Sequence, residues 1–345
     1  MSIIGTIGAL AIDQAALRNR MDVVSRQVAT GQKGERHGDL GAEARRAIGL
    51  RGEIARREAQ AAAADRALAR ADVTQGVLGR LDRLAGGMAA EALRARTLGT
   101  AGVEALAIGA RAALAEAATL LNTRHDGEYL FAGSDVAHAP VPDGAAIGAG
   151  AMAGAVSAAV LTLGPGNAAG VLAATAAAAG GATSPFSAFL EGPGLAEPRR
   201  AVQVAEGERV ALGVFANRDQ ADEATLSWGR ELLRGLATLA ALTPAQAAQG
   251  DGYQALLDGV RQGLAGAAAG LAEEQGALGT AEARIGATRD RHRDTLVALR
   301  AQLGGAEEVD LAAASAAMRQ LQSRLEASYE ATSMVARLSL AALLR

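Results

Sequence analysis

Four histidines, His37, His125, His138 and His292, are the side chains best suited to metal ligation or to proton transfer near neutral pH. Their positions share no metal-ligand spacing. His292 is singular because it stands at an apolar position of a seven-residue repeat, between Ile285 and Leu299. It reads either as a proton- or partner-sensing group or as a polar seam residue that tunes helix register. Glu273-Glu274 and Glu307-Glu308 are adjacent carboxylates, but sequence neighbours diverge on a helix and make no acid–base pair on that account. Two glycine runs, Gly148/Gly150/Ala153 and Gly164/Gly166/Ala169, match the loose dinucleotide fingerprint. That chemistry needs a parallel strand–helix–strand unit and an acidic residue about twenty positions on. Glu191 is the nearest candidate, a proline-containing loop intervenes, and with 43 glycines such matches arise by chance. There is no cysteine, so thiolate catalysis, disulfides and Cys-based metal sites are excluded. With no nucleophile–His–acid arrangement and no phosphate loop, the chain reads as a non-enzyme without cofactor or metal.

The strongest pattern is one of assembly. Between residues 253 and 303 one position recurs every seven: Leu257, Leu264, Leu271, Leu278, Ile285, His292, Leu299. Its companion reads Val260, Ala267, Glu274, Ala281, Thr288, Thr295. Beyond a Gly304-Gly305 break a second repeat starts, Leu311, Met318, Leu325, Thr332, with Ala314, Leu321, Ser328 and Val335 between. This is the spacing of a helix seam that faces other helices. A third stripe runs through residues 1–31: Ile3, Ile7, Leu10, Gln14, Leu17, Met21, Val24, Val28. Thr30-Gly31-Gln32-Lys33-Gly34 ends that helix, and 34–41 reads as a loop.

From 42 to 122 there is no proline, and alanine-rich helical stripes run through Leu50, Ile54, Leu68, Leu78, Leu81 and Met88, then Val103, Leu106, Leu114 and Leu121. Thr97-Leu98-Gly99-Thr100 marks a hinge or turn between them. All seven prolines lie between 140 and 244, and no charged side chain occurs from 144 to 190. This middle reads as a compact insert of turns with short strands or weak helices, 156–163 being one alternating piece. Residues 202–204 and 210–214, flanking Glu206-Gly207-Glu208, predict a hairpin. Helix resumes near Gln220 and stops near Pro244.

The expected fold is mainly α: a long antiparallel helical bundle built from both chain ends, with a small insert containing strands or loops. Residues 1–41 with 305–345 would be terminal assembly helices, 42–133 with 200–304 the bundle, and 134–199 the outer region. At a net charge of −3 no pull toward nucleic acid is implied. The uncharged stretch is too broken by glycine and proline to read as a membrane span. The N-terminus lacks a basic region ahead of its apolar stretch, unlike a Sec signal peptide. Lys33 is the only lysine, which reads as compositional bias toward arginine.

These segments resemble the bacterial flagellins, and most closely their hook-associated branch of type 3, the hook–filament junction proteins. The resemblance rests on 27–33, on 47–54, on Gly127-Glu128-Tyr129-Leu130-Phe131-Ala132-Gly133, and on the 202–216 return. It continues through Leu278-Gly279, Arg284-Ile285, Asp310-Leu311-Ala312 and Tyr329 with Leu338-Ser339-Leu340. It covers about 1–133 and 200–345. One departure is Arg36-His37-Gly38-Asp39-Leu40-Gly41, where the family has a proline/serine–aspartate–aspartate turn. The resemblance implies a structural subunit forming a homo-oligomeric ring, with flagellin and another hook-associated protein as neighbours. It implies an export chaperone on the C-terminal arm, and a location outside the cell reached by type III export without a cleaved signal. The expected assembly interface is Ile3, Ile7, Leu10, Leu17, Met21, Val24 and Val28 with Leu311, Met318, Leu321, Leu325, Val335, Leu338 and Leu340. The expected bundle seam is Leu257, Leu264, Leu271, Leu278, Ile285 and Leu299. A flagellin filament subunit and an unrelated cytosolic coiled-coil protein are the alternatives.

Overall fold

Alanine-rich segments without proline have little to oppose helix formation, and the computed structural model of the chain is helical across them. It describes residues 3–34, 36–218 and 226–343. The helices are α1 (Ile3–Thr30), α2 (Ala44–Leu98), α3 (Thr100–Leu121), α4 (Ala151–Leu161), α5 (Ala168–Ala178), α6 (Ala188–Glu191), α7 (Trp228–Ala240), α8 (Pro244–Ala247), α9 (Asp251–Glu307) and α10 (Leu311–Leu343). Strands β1 (Arg124–His125) and β2 (Glu128–Tyr129) form one antiparallel hairpin, β3 (Ala201–Ala205) and β4 (Glu208–Ala211) another. The mainly α expectation and the 202–214 hairpin are thus borne out. Two units form, Met1–Ala59 with Arg291–Arg345 and Gln60–Asp290, and α2 and α9 contribute residues to both.

In the unit Gln60–Asp290, α2 and α3 run antiparallel, joined at Gly99, whose φ of 57° suits glycine. Arg80 donates to Glu116 at 3.1 Å across that pair. Helix α9 runs antiparallel to α2: Gln75 Nε2 donates to the Gln275 carbonyl at 2.8 Å, and Arg96 to Asp258 at 3.0 Å. Helix α7 is capped by Ser227, whose hydroxyl accepts from the Arg230 amide. It packs on α3, and Gly235 brings it close to α9: a Cβ there would stand 2.9 Å from a Leu264 methyl. Trp228 meets Phe131 edge-on at 6.4 Å between centroids. The predicted helix start at Gln220 lies outside the described residues.

The insert is helical where strands were also expected. Met152, Val156 and Val160 recur every four residues, so they share one face of α4, and all three are buried. Helices α4 and α5 pack on each other and on α7. Residues 144–161 are long and apolar enough by composition to cross a bilayer. Extended backbone at Gly150, however, splits them into a 3-10 turn and the eleven-residue α4. At 1.5 Å per residue α4 spans ~16 Å, against ~30 Å of hydrocarbon core.

The other unit holds α1, α10, residues 44–59 of α2 and residues 291–307 of α9. Two local expectations are corrected here. Helix α9 runs through Gly304-Gly305 and ends at Glu307, its last carbonyls met by the Lys33 ammonium and by the amides of Lys33 and Glu308. Residues 37–43 form a 3-10 helix instead of an open loop, begun by the Asp39 carboxylate accepting from the Arg36 amide at 2.9 Å.

Candidate assembly interface

On α1 the described part of the stripe is covered only in part. Leu10, Gln14, Leu17, Met21, Val24 and Val28 are half-buried, while the positions between them are mostly exposed. Facing them on α10, Ala314 and Leu321 are buried, and Met318, Leu325, Ser328, Thr332 and Val335 half-buried. Leu311 is 52% exposed. Ile3, Ile7, Leu338 and Leu340 lie in the helices, but their side chains fall outside the described residues.

Polar contacts fix the pair antiparallel and in register. Gln14 Nε2 donates to Thr332 Oγ1 at 2.8 Å and to the Ser328 carbonyl at 3.3 Å. The Arg18 guanidinium donates to the Tyr329 hydroxyl at 2.8 Å and lies 5.4 Å from that ring's centroid. The small seam residues Ala314, Ser328 and Thr332 let the backbones approach while adding little buried area.

At the closed end the chain makes a clasp. Gly31, with φ at 72°, ends α1, and Gln32 bridges Glu308 in a short antiparallel contact. The Lys33 amide donates to the Glu307 carbonyl at 2.7 Å, and the Val309 amide to the Gly31 carbonyl at 2.9 Å. The Lys33 ammonium reaches the carbonyls of Gly305 (2.6 Å) and Ala306 (3.1 Å). A cation is favoured there, since the C-terminal turn of a helix presents unpaired carbonyls and negative dipole charge. Arg51 pairs with Glu307 at 2.9 Å on the same turn. Asp310 then caps α10, its carboxylate accepting from the amides of Ala312 and Ala313. Lys33 is therefore specific in role, which its rarity in the composition did not reveal.

The result is a two-helix hairpin whose seam is only half covered. Ile12, Val23, Leu311, Tyr329 and Met334 remain exposed in it. Apolar surface of this kind is chemistry for binding further helices, not for catalysis.

The bundle seam differs. Leu257, Leu264, Leu271, Leu278 and Ile285 are all buried in the unit Gln60–Asp290. Its companion Glu274, 1% exposed, is matched by Arg199, which grips the carboxylate through two nitrogens at 2.6 Å each. That pairing holds Arg199 above the usual guanidinium range, against its own burial. The spacing marks Glu274 as out of place, but nothing in the sequence names its partner 75 residues away.

In the terminal unit, His292 is buried and the Arg57 guanidinium lies 3.3 Å from its Nδ1. Leu299 is half-buried, and Leu296 takes the buried face there. A near-straight helix drifts from a strict seven-residue repeat by that much. His125 lies 3.5 Å from Asp126 and His138 2.7 Å from Asp135; the His37 side chain falls outside the described residues. Among the described residues no three His, Asp or Glu side chains converge as a metal site. Gly164 and Gly166 follow helix α4, where a dinucleotide site needs a strand.

Residues 262–344 match the bacterial flagellin C-terminal helical region, a stretch that takes in most of α9 and all of α10. No curated protein matches the chain.

Proposed function

We propose that this chain, a member of the bacterial flagellin family, is the flagellar subunit that joins hook to filament. The match over 262–344 supports a structural subunit of the flagellum. The junction role is supported by 127–133, the segment most similar to the hook-associated branch of type 3. In this reading 1–41 and 305–345 assemble, 42–133 with 200–304 forms the bundle, and 134–199 faces outward. Subunits close into a ring by packing the α1–α10 hairpin against its counterparts. Flagellin and another hook-associated protein are its neighbours. The protein reaches the outside of the cell by type III export with its N-terminus uncleaved, escorted by a chaperone on the C-terminal arm.

The half-covered seam fits this mechanism. Full burial of a leucine contributes ~2 kcal/mol, against ~1–2 kcal/mol of backbone entropy per ordered residue. A lone hairpin of small seam residues is therefore marginal and gains order from neighbours. The test is deletion of the gene followed by electron microscopy and fractionation. Hooks without filaments, with flagellin shed into the medium, are expected. Loss of the filament protein itself, with intact junctions, would assign the chain to the filament instead. Intact filaments in the deletion strain would overturn both.

A further inference from the structure

The unit Gln60–Asp290 holds a cavity that helix assembly leaves unused. It measures about 310 Å³ and lies among α2, the β1–β2 turn and the β3–β4 hairpin. That is near the lower end of small-molecule pockets, ~300 Å³. Its wall carries Arg66, Arg70, Arg200 and His125 against two carboxylates, Asp126 and Glu128.

The charges do not balance. Glu128 alone answers two guanidiniums: it accepts from Arg70 at 2.9 Å and from both terminal nitrogens of Arg200. Arg70 also donates to the Tyr129 carbonyl at 3.0 Å, which holds it in place. Asp126 lies beside His125 at 3.5 Å. Arg66 is exposed at the rim and makes no hydrogen bond or ion pair with any described residue. Arg70 is held below the usual guanidinium range, by burial first and also by the Arg200 charge, although Glu128 works the other way. Another anion beside it would relieve that crowding. A concave site with surplus charge focuses its field on an incoming counter-ion. Guanidinium forks match a carboxylate through two parallel hydrogen bonds. The rest of the wall is apolar, with buried Leu212 and half-buried Val202.

We infer that this cavity binds a carboxylate carried on a short aliphatic stem, with Arg66 and Arg200 as its cationic contacts and Val202 and Leu212 against the stem. Two sources share this chemistry: a free small dicarboxylic acid, and the acidic side chain of a second copy of this chain.

Glutarate titrated into the purified full-length chain, followed by amide chemical shifts, is the test. Saturable shifts confined to α2, β1–β2 and β3–β4 are expected, with none from the neutral glutaramide. Arg66→Ala removes a rim charge without touching the Glu128 network, and should weaken binding roughly three- to fivefold. Arg200→Gln is the second variant, and Arg94→Ala, on the surface of α2, controls for net charge. Sedimentation of the same samples separates the sources. If a second copy supplies the carboxylate, association weakens with glutarate and with Arg66→Ala; if a free acid does, association is unchanged. Absence of glutarate binding together with unchanged association in Arg66→Ala overturns the inference, as does glutarate binding that Arg66→Ala and Arg200→Gln leave intact. The glutarate arm does not depend on the flagellar role, so either can fail without the other.

Discussion

Along α9, Leu257, Leu264, Leu271, Leu278 and Ile285 are buried to 4% exposure or less. Along α1 the equivalent stripe is half-buried from Leu10 to Val28, and among the described side chains of α10 only Ala314 and Leu321 are buried. Both regions carry a seven-residue apolar repeat. The period states that a face is to be covered; it does not state how many helices cover it. In the bundle α2 and α7 lie against α9 within one chain. In the hairpin two helices cover each other, and apolar side chains such as Ile12, Val23 and Met334 stay exposed.

The sharpest way to break this contrast is to place the same charge in each seam. Ile285→Asp puts a carboxylate in a fully dry position and should cost more than about 4 kcal/mol, eliminating the cooperative thermal transition followed by circular dichroism. Leu325→Asp should leave that transition in place and abolish polymerisation. Equal melting of Ile285→Asp and the parent protein would remove the seam assignment; loss of the transition in Leu325→Asp would merge the two regions.

A second test lies inside the bundle. Arg199→Ala strands the buried Glu274 carboxylate and should destabilise by ~3–5 kcal/mol in chemical denaturation. Replacing both partners by leucine should recover most of that loss, since an apolar pair carries no unpaired charge. A double variant no better than the single one would show that Arg199 acts through packing instead.

How far the sequence could be read follows from the same contrast. Local patterns were legible: the α1 stripe, the Gly99 turn, the hairpin around Gly207 and the seam to Ile285 depend on spacing within a few residues. Contacts across the chain were not. Lys33 caps carbonyls 272 and 273 residues away, and so carries α9 past Gly304-Gly305, where glycine alone argues for a stop. The 156–163 alternation permits a strand, and the four-residue recurrence from Met152 to Val160 decides for helix only once α5 and α7 cover that face. At the interface the stripes were visible, but the partners Gln14–Thr332 and Arg18–Tyr329 required the fold.

A smaller effect tests the clasp. Lys33→Met removes the cation from the end of α9 and should cost ~0.5–2 kcal/mol locally. Hydrogen exchange should show it as faster exchange at 304–309, with the bundle's melting unchanged. In the parent monomer the amides of 8–30 and 311–335 should already exchange faster than those of 253–285. Strong protection of the terminal helices in the monomer would contradict the marginal hairpin.

The smallest effect concerns Glu282, on α9 in the bundle. One of its carboxylate oxygens is buried without a hydrogen-bond partner. Burial raises its pKa above the ordinary carboxylate value, and the negative charge of Asp72 on α2 adds to the rise. The folded chain therefore holds this proton more tightly than the unfolded chain. The stability it contributes is fully present below the ordinary carboxylate pKa and is lost as pH rises through the shifted value. Glu282→Gln keeps the shape and removes the ionisation, so it should melt higher than the parent at neutral pH. At about pH 3.5, where the carboxyl is protonated in both states, the two should converge. A gap of the same size at both pH values would mean that the amide gains through new hydrogen bonds, and that Asp72 and Glu282 place no pH-dependent strain on this stretch of the bundle.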